Sequence, residues 1–172
     1  YFAPDKLGYF KDGNLLKGGL TYADAITTVS ATYAEEIKTE FYGEKLNGLL
    51  TARTHDLRGI VNGIDYDEYN PDTDQYIVHH YNASNFRKEK IKNKRDLQKQ
   101  LGLEENDKKM MIGIVSRLTD QKGMDLVAYI MDELCSKDDI QLVVLGTGEE
   151  RYENMFRHFD WKYHGKVSAN IF

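Results

Sequence analysis

Short apolar runs and amphipathic stretches alternate along this chain. Met110–Val115 and Ile140–Leu145 are nearly all apolar and of strand length, and Ile140–Leu145 has the pattern of a strand buried in a parallel sheet. Ala25–Val29 is shorter and rich in β-branched residues, and it reads the same way. Elsewhere the spacing is helical. Met124–Leu134 predicts an amphipathic helix whose apolar stripe is Leu126, Ile130 and Leu134. Phe86–Leu101 predicts a basic, polar helix stopped at Gly102, and Leu46–Arg53 and Arg151–Phe159 predict two more, with a third strand of the later group starting in Tyr163–Val167. Ser30 or Thr32 can cap a helix that runs to about Tyr42 and stops at Gly43, and Thr32–Glu35 fits a capping box. Strands alternating with helices imply an α/β fold with parallel sheets.

Three stretches fall outside this alternation. Residues 1–19 show no period and read as loop with at most one helical turn. Leu57–Asp65 combines a short strand with a tight turn at Asn62-Gly63, two residues that tolerate positive φ. Residues 66–85 carry turn chemistry such as Asn70-Pro71-Asp72 and read as a linker. His79 and His80 are adjacent there, so on any regular element they diverge, and no metal site is expected from them.

Chemistry concentrates after the first long strand, in Ser116-Arg117-Leu118-Thr119-Asp120-Gln121-Lys122-Gly123-Met124-Asp125-Leu126. Arg117 and Lys122 occupy a loop between a strand and a helix start, the edge of an open α/β sheet where ligands bind. Backbone N–H groups and the helix dipole there favour an anion. A guanidinium fork and a point-charge ammonium added to them make a diphosphate clamp. Ile140–Leu145 ends in Gly146-Thr147-Gly148-Glu149, a second Gly-rich strand-to-helix turn. It lacks the third Gly of a dinucleotide fingerprint and the Lys-Ser/Thr of a P-loop. In one parallel sheet both loops fall on the same edge and can line one crevice.

Composition narrows the classes. With 41% hydrophobic and 30% charged residues and a net charge of -5, the chain has no basic balance to suggest nucleic acid. The basic run Arg87–Arg95 has Glu89 within it and reads as a solvated helix face. No apolar stretch is long enough to span a bilayer, and no signal peptide is visible, so a sequon at Asn82-Ala83-Ser84 carries no weight. The single cysteine, Cys135, reads as a buried thiol in a reducing, cytoplasmic compartment. At 172 residues with a non-Met start, the chain reads as a piece of a longer protein. Its exposed sheet edges and apolar helix faces then lead to an expectation of self-association.

Ser-Arg-Leu-Thr-x-Gln-Lys-Gly-x-Asp-Leu at Ser116–Leu126 resembles the start of the C-terminal domain of glycogen and starch synthases, retaining glucosyltransferases of the two-domain GT-B architecture. Thr27–Ile37 resembles a segment late in the N-terminal domain of that family, and Gly59–Asp65 resembles its Gly-Ile-x-Asn-Gly-Ile-Asp segment at the mouth of the interdomain cleft. The resemblance implies Rossmann-like parallel-sheet pieces: 1–65 as the end of the N-terminal, acceptor-side domain, 66–85 as linker, and 86–172 as the first half of the nucleotide-sugar domain. Arg117 and Lys122 match the family's diphosphate-binding pair, and Asn62 matches an Asn associated with the active site. Nucleotide-sugar contacts are expected from Arg117, Lys122, Gly123, Gly146, Thr147 and Gly148. Lys17, in Leu16-Lys17-Gly18-Gly19-Leu20, looks like the family's N-terminal Lys-x-Gly-Gly-Leu motif. Its context matches a later segment instead, so it reads as a solvated lysine before a Gly turn.

The implied reaction moves glucose from ADP-glucose, preferred over UDP-glucose, to the non-reducing end of an α-1,4-glucan primer, with no metal or other cofactor. The chain alone is expected to be silent, because the family's N-terminal motif and its downstream acidic region are not in it. Two alternatives share the scaffold: a non-catalytic nucleotide- or glucan-binding GT-B module, and a sucrose or sucrose-phosphate synthase type of enzyme with a small-sugar acceptor.

Overall fold

A computed structural model describes residues 3, 4, 6–9, 12–137 and 139–172, and the chain divides into two units, residues 1–65 and 66–172. In the first unit, β1 (Gly8–Tyr9) and β2 (Asp12–Gly13) form a short antiparallel ribbon. There follow α1 (Leu15–Tyr22), β3 (Ile26–Thr28), α2 (Ala31–Glu36), α3 (Asn47–Ala52) and β4 (Leu57–Gly59). β3 and β4 pair in parallel, Ile26 opposite Leu57 and Thr28 opposite Gly59. Ile26, Ala34, Ile37, Leu46, Leu50 and Leu57 make the core.

Several local expectations need correction here. Of the predicted loop at 1–19, residues 1, 2, 5, 10 and 11 lie outside the described set, and from Leu15 the chain is already helical. Asn14 caps α1 by accepting from Lys17 N–H at 2.9 Å, which outweighs the low helix propensity of Gly18-Gly19. Lys17 is half-buried rather than freely solvated, and its ammonium donates to the carbonyls of Pro4 and Gly8. Arg53 closes the other end of α1, donating to the carbonyls of Leu20 at 2.8 Å and Thr21 at 3.0 Å. Ser30 is the N-cap of α2, accepting from Tyr33 N–H. That helix ends at Glu36 rather than near Tyr42, and its continuation breaks into turns as the Thr39 hydroxyl takes the Glu36 carbonyl. No tight turn forms at Asn62-Gly63, since residues 60–65 run without regular structure and neither residue has positive φ.

The second unit holds α4 (Phe86–Gln100), β5 (Met110–Val115), a 3-10 turn (Asp120–Lys122), α5 (Met124–Ser136), β6 (Ile140–Leu145), α6 (Glu150–Lys162) and β7 (Val167–Asn170). Its sheet is parallel in the order β5-β6-β7, with Met110 opposite Ile140, Val115 opposite Leu145, and Leu145 opposite Asn170. Residues 66–85 form turns that count with this unit, and His79 N–H donates to Asn93 of α4. β7 starts at Val167, the last residue of the predicted stretch, and Tyr163–Lys166 precede it. Those residues make a turn in which Gly165 takes φ 79°.

Leu118, Met131, Leu142, Val144 and Phe156 are at the centre of this unit's core. α5 turns a different face inward from the one its spacing predicts. Met124, Met131 and Cys135 are buried, whereas Leu126 is 70% and Ile130 45% exposed.

One buried polar pair fixes α4 to the sheet. Gln98 and Gln141 are fully buried, and Gln98 Nε2 donates to Gln141 Oε1 at 2.7 Å. Gln141 Nε2 donates in turn to the Glu104 carbonyl at 2.7 Å, and Asn106 N–H donates to Gln98 Oε1 at 3.2 Å. Replacing one partner of such a network strands the other. Gln141→Leu is expected to destabilise the second unit by on the order of 2–3 kcal/mol. Urea unfolding followed by Trp161 fluorescence measures it, and an unchanged midpoint would refute the network's role.

Candidate functional site

The loop after β5 (Ser116–Gly123) and the loop after β6 (Gly146–Glu149) emerge from the same edge of the sheet, because β5 and β6 are parallel and in register. They also bind each other. Leu118 N–H donates to the Thr147 carbonyl at 2.9 Å, and Glu149 N–H donates to the Leu118 carbonyl at 2.8 Å. Leu118 and Gly148 thus make a one-residue parallel bridge beyond the strands, and the Leu118 side chain is fully buried beneath it. The glycines of Gly146-Thr147-Gly148 have a packing reason: a Cβ on Gly146 would lie 1.9 Å from Ser116 O, and one on Gly148 2.3 Å from Leu118 O.

This pairing presents the two cations. Arg117 precedes the buried Leu118, is exposed, and donates weakly to Gln121 Oε1 at 3.4 Å. Lys122 ends the 3-10 turn and is also exposed. Gly123 follows at φ 72°, ψ 27°, a left-handed conformation that glycine adopts without strain, and this bend turns the chain from the cation pair into α5.

The helix dipoles contribute less than the sequence suggests. α5 carries Asp125 in its first turn and α6 carries Glu150 and Glu153, so acids of the chain already complement both N-termini. Glu153 Oε1 accepts from the Thr147 hydroxyl at 2.6 Å and from Gly148 N–H at 2.9 Å. Those two donors hold its carboxyl below the usual range. The Gly146 and Glu149 amides are bonded to Asn170 O and Leu118 O. Arg117 and Lys122 remain the exposed cations of the loop after β5.

A second set of residues, not legible in the sequence, braces the cation loop from α6. Asp120 accepts from the Tyr152 hydroxyl and from Arg151, its backbone N–H donates to Glu149 Oε1 at 3.1 Å, and Arg151 also pairs with Glu149 at 2.8 Å. The Tyr152 and Arg151 hydrogen bonds hold the Asp120 carboxyl below its ordinary range. Tyr152 is pushed up to about 12 by the carboxylate it donates to and by burial.

The remaining predicted site residue, Asn62, is exposed on the first unit. Among the described residues no group of three or more His, Cys, Asp and Glu side chains is placed to hold a metal ion. A groove of about 600 Å³ lined by Tyr81, Ile91, Leu97, Met110 and Val115 lies along the exposed face of β5, and neither Arg117 nor Lys122 lines it. Among the described residues no helix is long and apolar enough to cross a membrane.

Comparison with known proteins adds the family context. Residues 1–52 match the family described as starch synthase catalytic domain. A glycogen synthase of Lachnospira eligens is 69% identical over all 172 residues. One of Thermotoga maritima is 53% identical over 167 residues. Among solved structures, the catalytic domain of starch synthase IV from Arabidopsis thaliana, described as bound to ADP and acarbose, superposes with a TM-score of 0.88. It is 32% identical, covering 99% of this chain and 36% of that one. The chain spans about a third (36%) of the length of the Lachnospira relative. It is thus homologous to glycogen synthases along its whole length, and its parallel α/β units match the GT-B fold of a starch synthase catalytic domain.

Proposed function

We propose that this chain is part of a cytoplasmic, retaining glucosyltransferase that moves glucose from ADP-glucose to the non-reducing end of an α-1,4-glucan, with Arg117 and Lys122 binding the donor's diphosphate. The observation that carries the reading is the exposed Arg117 and Lys122 on one strand–turn–helix loop, in a chain that superposes on a starch synthase domain described as bound to ADP and acarbose. Residues 1–65 would belong to the acceptor-side domain, with Asn62 near the sugar because an amide both donates to and accepts from hydroxyls. Residues 66–85 would link the domains and 86–172 would begin the nucleotide-sugar domain. The braced Gly146-Thr147-Gly148 loop and Gly123 would shape the donor site.

The chemistry follows from leaving-group charge. As the glycosidic C–O bond breaks, negative charge builds on the distal phosphate while the sugar becomes oxocarbenium-like. Fixed cations aimed at that phosphate stabilise the transition state more than the ground state, and two of them meet this need without a metal.

Two measurements test the proposal. Calorimetric titration of ADP into this chain is expected to show weak binding that Arg117→Ala removes. The intact protein is expected to incorporate labelled glucose from ADP-glucose into a glucan primer. ADP binding without any incorporation would overturn glucosyl transfer and leave a nucleotide-binding module.

A further inference from the structure

Asp120 lies in the same loop as the two cations, three residues after Arg117 and two before Lys122. Cα atoms so close in sequence stay within about 11 Å of each other even in extended chain, so its carboxylate is within reach of both long side chains. An ion pair with either one would cancel the charge that the loop presents to a phosphate. The observed arrangement is different. The carboxylate is turned to α6, where Arg151 and the Tyr152 hydroxyl both donate to it. Arg117 faces the neutral amide of Gln121, and among the described residues no ion pair joins Asp120 to Arg117 or Lys122. Two neighbouring acids are diverted in the same way. Glu149 is held by Arg151 and by the Asp120 amide, and Glu153 by Thr147, Gly148 and Arg157.

We infer that Arg151 and Tyr152 are positioning residues that sequester the Asp120 carboxylate on α6, and so keep Arg117 and Lys122 available to a diphosphate. The last clause rests on the proposed clamp; the sequestration itself needs no nucleotide. The two are separable because a displaced carboxylate does damage through its charge. Breaking the brace should harm the loop while Asp120 is ionised and harm it less once Asp120 is neutral.

The test compares wild type, R151Q/Y152F and D120N/R151Q/Y152F. In this chain, the titration of the Lys122 ammonium and the exchange of the Arg117 Nε–H are followed by nuclear magnetic resonance, with K122R to assign the lysine signal. The double variant is expected to raise the Lys122 midpoint or slow the Arg117 exchange, as the freed carboxylate pairs with one of them, and the triple variant to restore wild-type values. If neither signal changes in the double variant, the sequestration is overturned. On the intact protein, ADP affinity is expected to fall about tenfold in the double variant, one charge-assisted contact's worth, and to recover in the triple. Equal weakness of double and triple would mean a purely structural brace and would overturn the inference. A wild type that binds no ADP would count against the clamp, while the resonance experiment still decides the sequestration. Tyr152 is buried; if Y152F impairs folding, R151Q and D120N/R151Q at the exposed arginine carry the same comparison.

Discussion

Arg117→Ala and Lys122→Ala are each expected to lower kcat of the intact enzyme by about 10²–10³-fold, the usual loss when one preorganised donor to a developing anion is removed. The effect should fall on kcat more than on KM, because phosphate charge grows as the bond to glucose breaks. Arg117→Lys should recover little, since an ammonium cannot reproduce the two-pronged contact of a guanidinium. Folding should be nearly untouched. Both side chains are exposed, and neither bonds to the core, so unfolding free energies should stay within roughly 0.5 kcal/mol of wild type. A steady-state assay with ADP-glucose and a glucan primer, run beside a urea melt, separates the two effects. Near-wild-type kcat in either variant would remove that residue from the clamp.

Much of the frame was legible from apolar spacing. β5 and β6 lie at Met110–Val115 and Ile140–Leu145, where the apolar runs put them, although β5 is not buried on both faces: Met110 is 64% and Val115 79% exposed. The loop between β5 and α5 was equally legible, since the apolar run stops at Val115 and helical spacing resumes at Met124. The inward face of α5 was not. Its sequence offers two apolar stripes, Met124/Val127/Met131/Cys135 and Leu126/Ile130/Leu134, and periodicity alone cannot choose between them. α1 was hidden by Gly18-Gly19, whose poor propensity is offset by the Asn14 cap and by Arg53 from 30 or more residues away. The brace on Asp120 was out of reach for the same reason: Tyr152 and Arg151 are more than 30 residues distant, and no local pattern links them to the loop. Gly146-Thr147-Gly148 was visible as a motif, yet its packing against Ser116 and Leu118 emerges from the register of β5 and β6, a tertiary property.

That packing sets the largest stability effect expected in the chain. A methyl group on Gly146 would sit 1.9 Å from the carbonyl oxygen of Ser116 and 3.1 Å from its carbon. These are backbone atoms of the adjacent loop, held by Ser116 N–H donating to Leu145 O at 3.2 Å, so no rotamer change can relieve the clash. Gly146→Ala must push the two loops apart, loosening the Leu118–Gly148 bridge and opening the seat of the fully buried Leu118. The expected loss is on the order of 3 kcal/mol, the upper range for overpacking. Because the loop displaced from Gly146 is the one that carries Arg117, ADP binding should weaken with it. Gly19→Ala supplies the contrast. Gly19 lies inside α1, is exposed, and a Cβ there would meet nothing within 4 Å, so alanine should stabilise the first unit by roughly 0.5–1 kcal/mol through helix propensity alone. Unfolding followed by circular dichroism for both variants, and by Trp161 fluorescence for the second unit, gives opposite signs for the same chemical change. A Gly146→Ala protein as stable as wild type would mean that the loops do not meet at Ser116, and the case for a cation loop held by its neighbour would lose its footing.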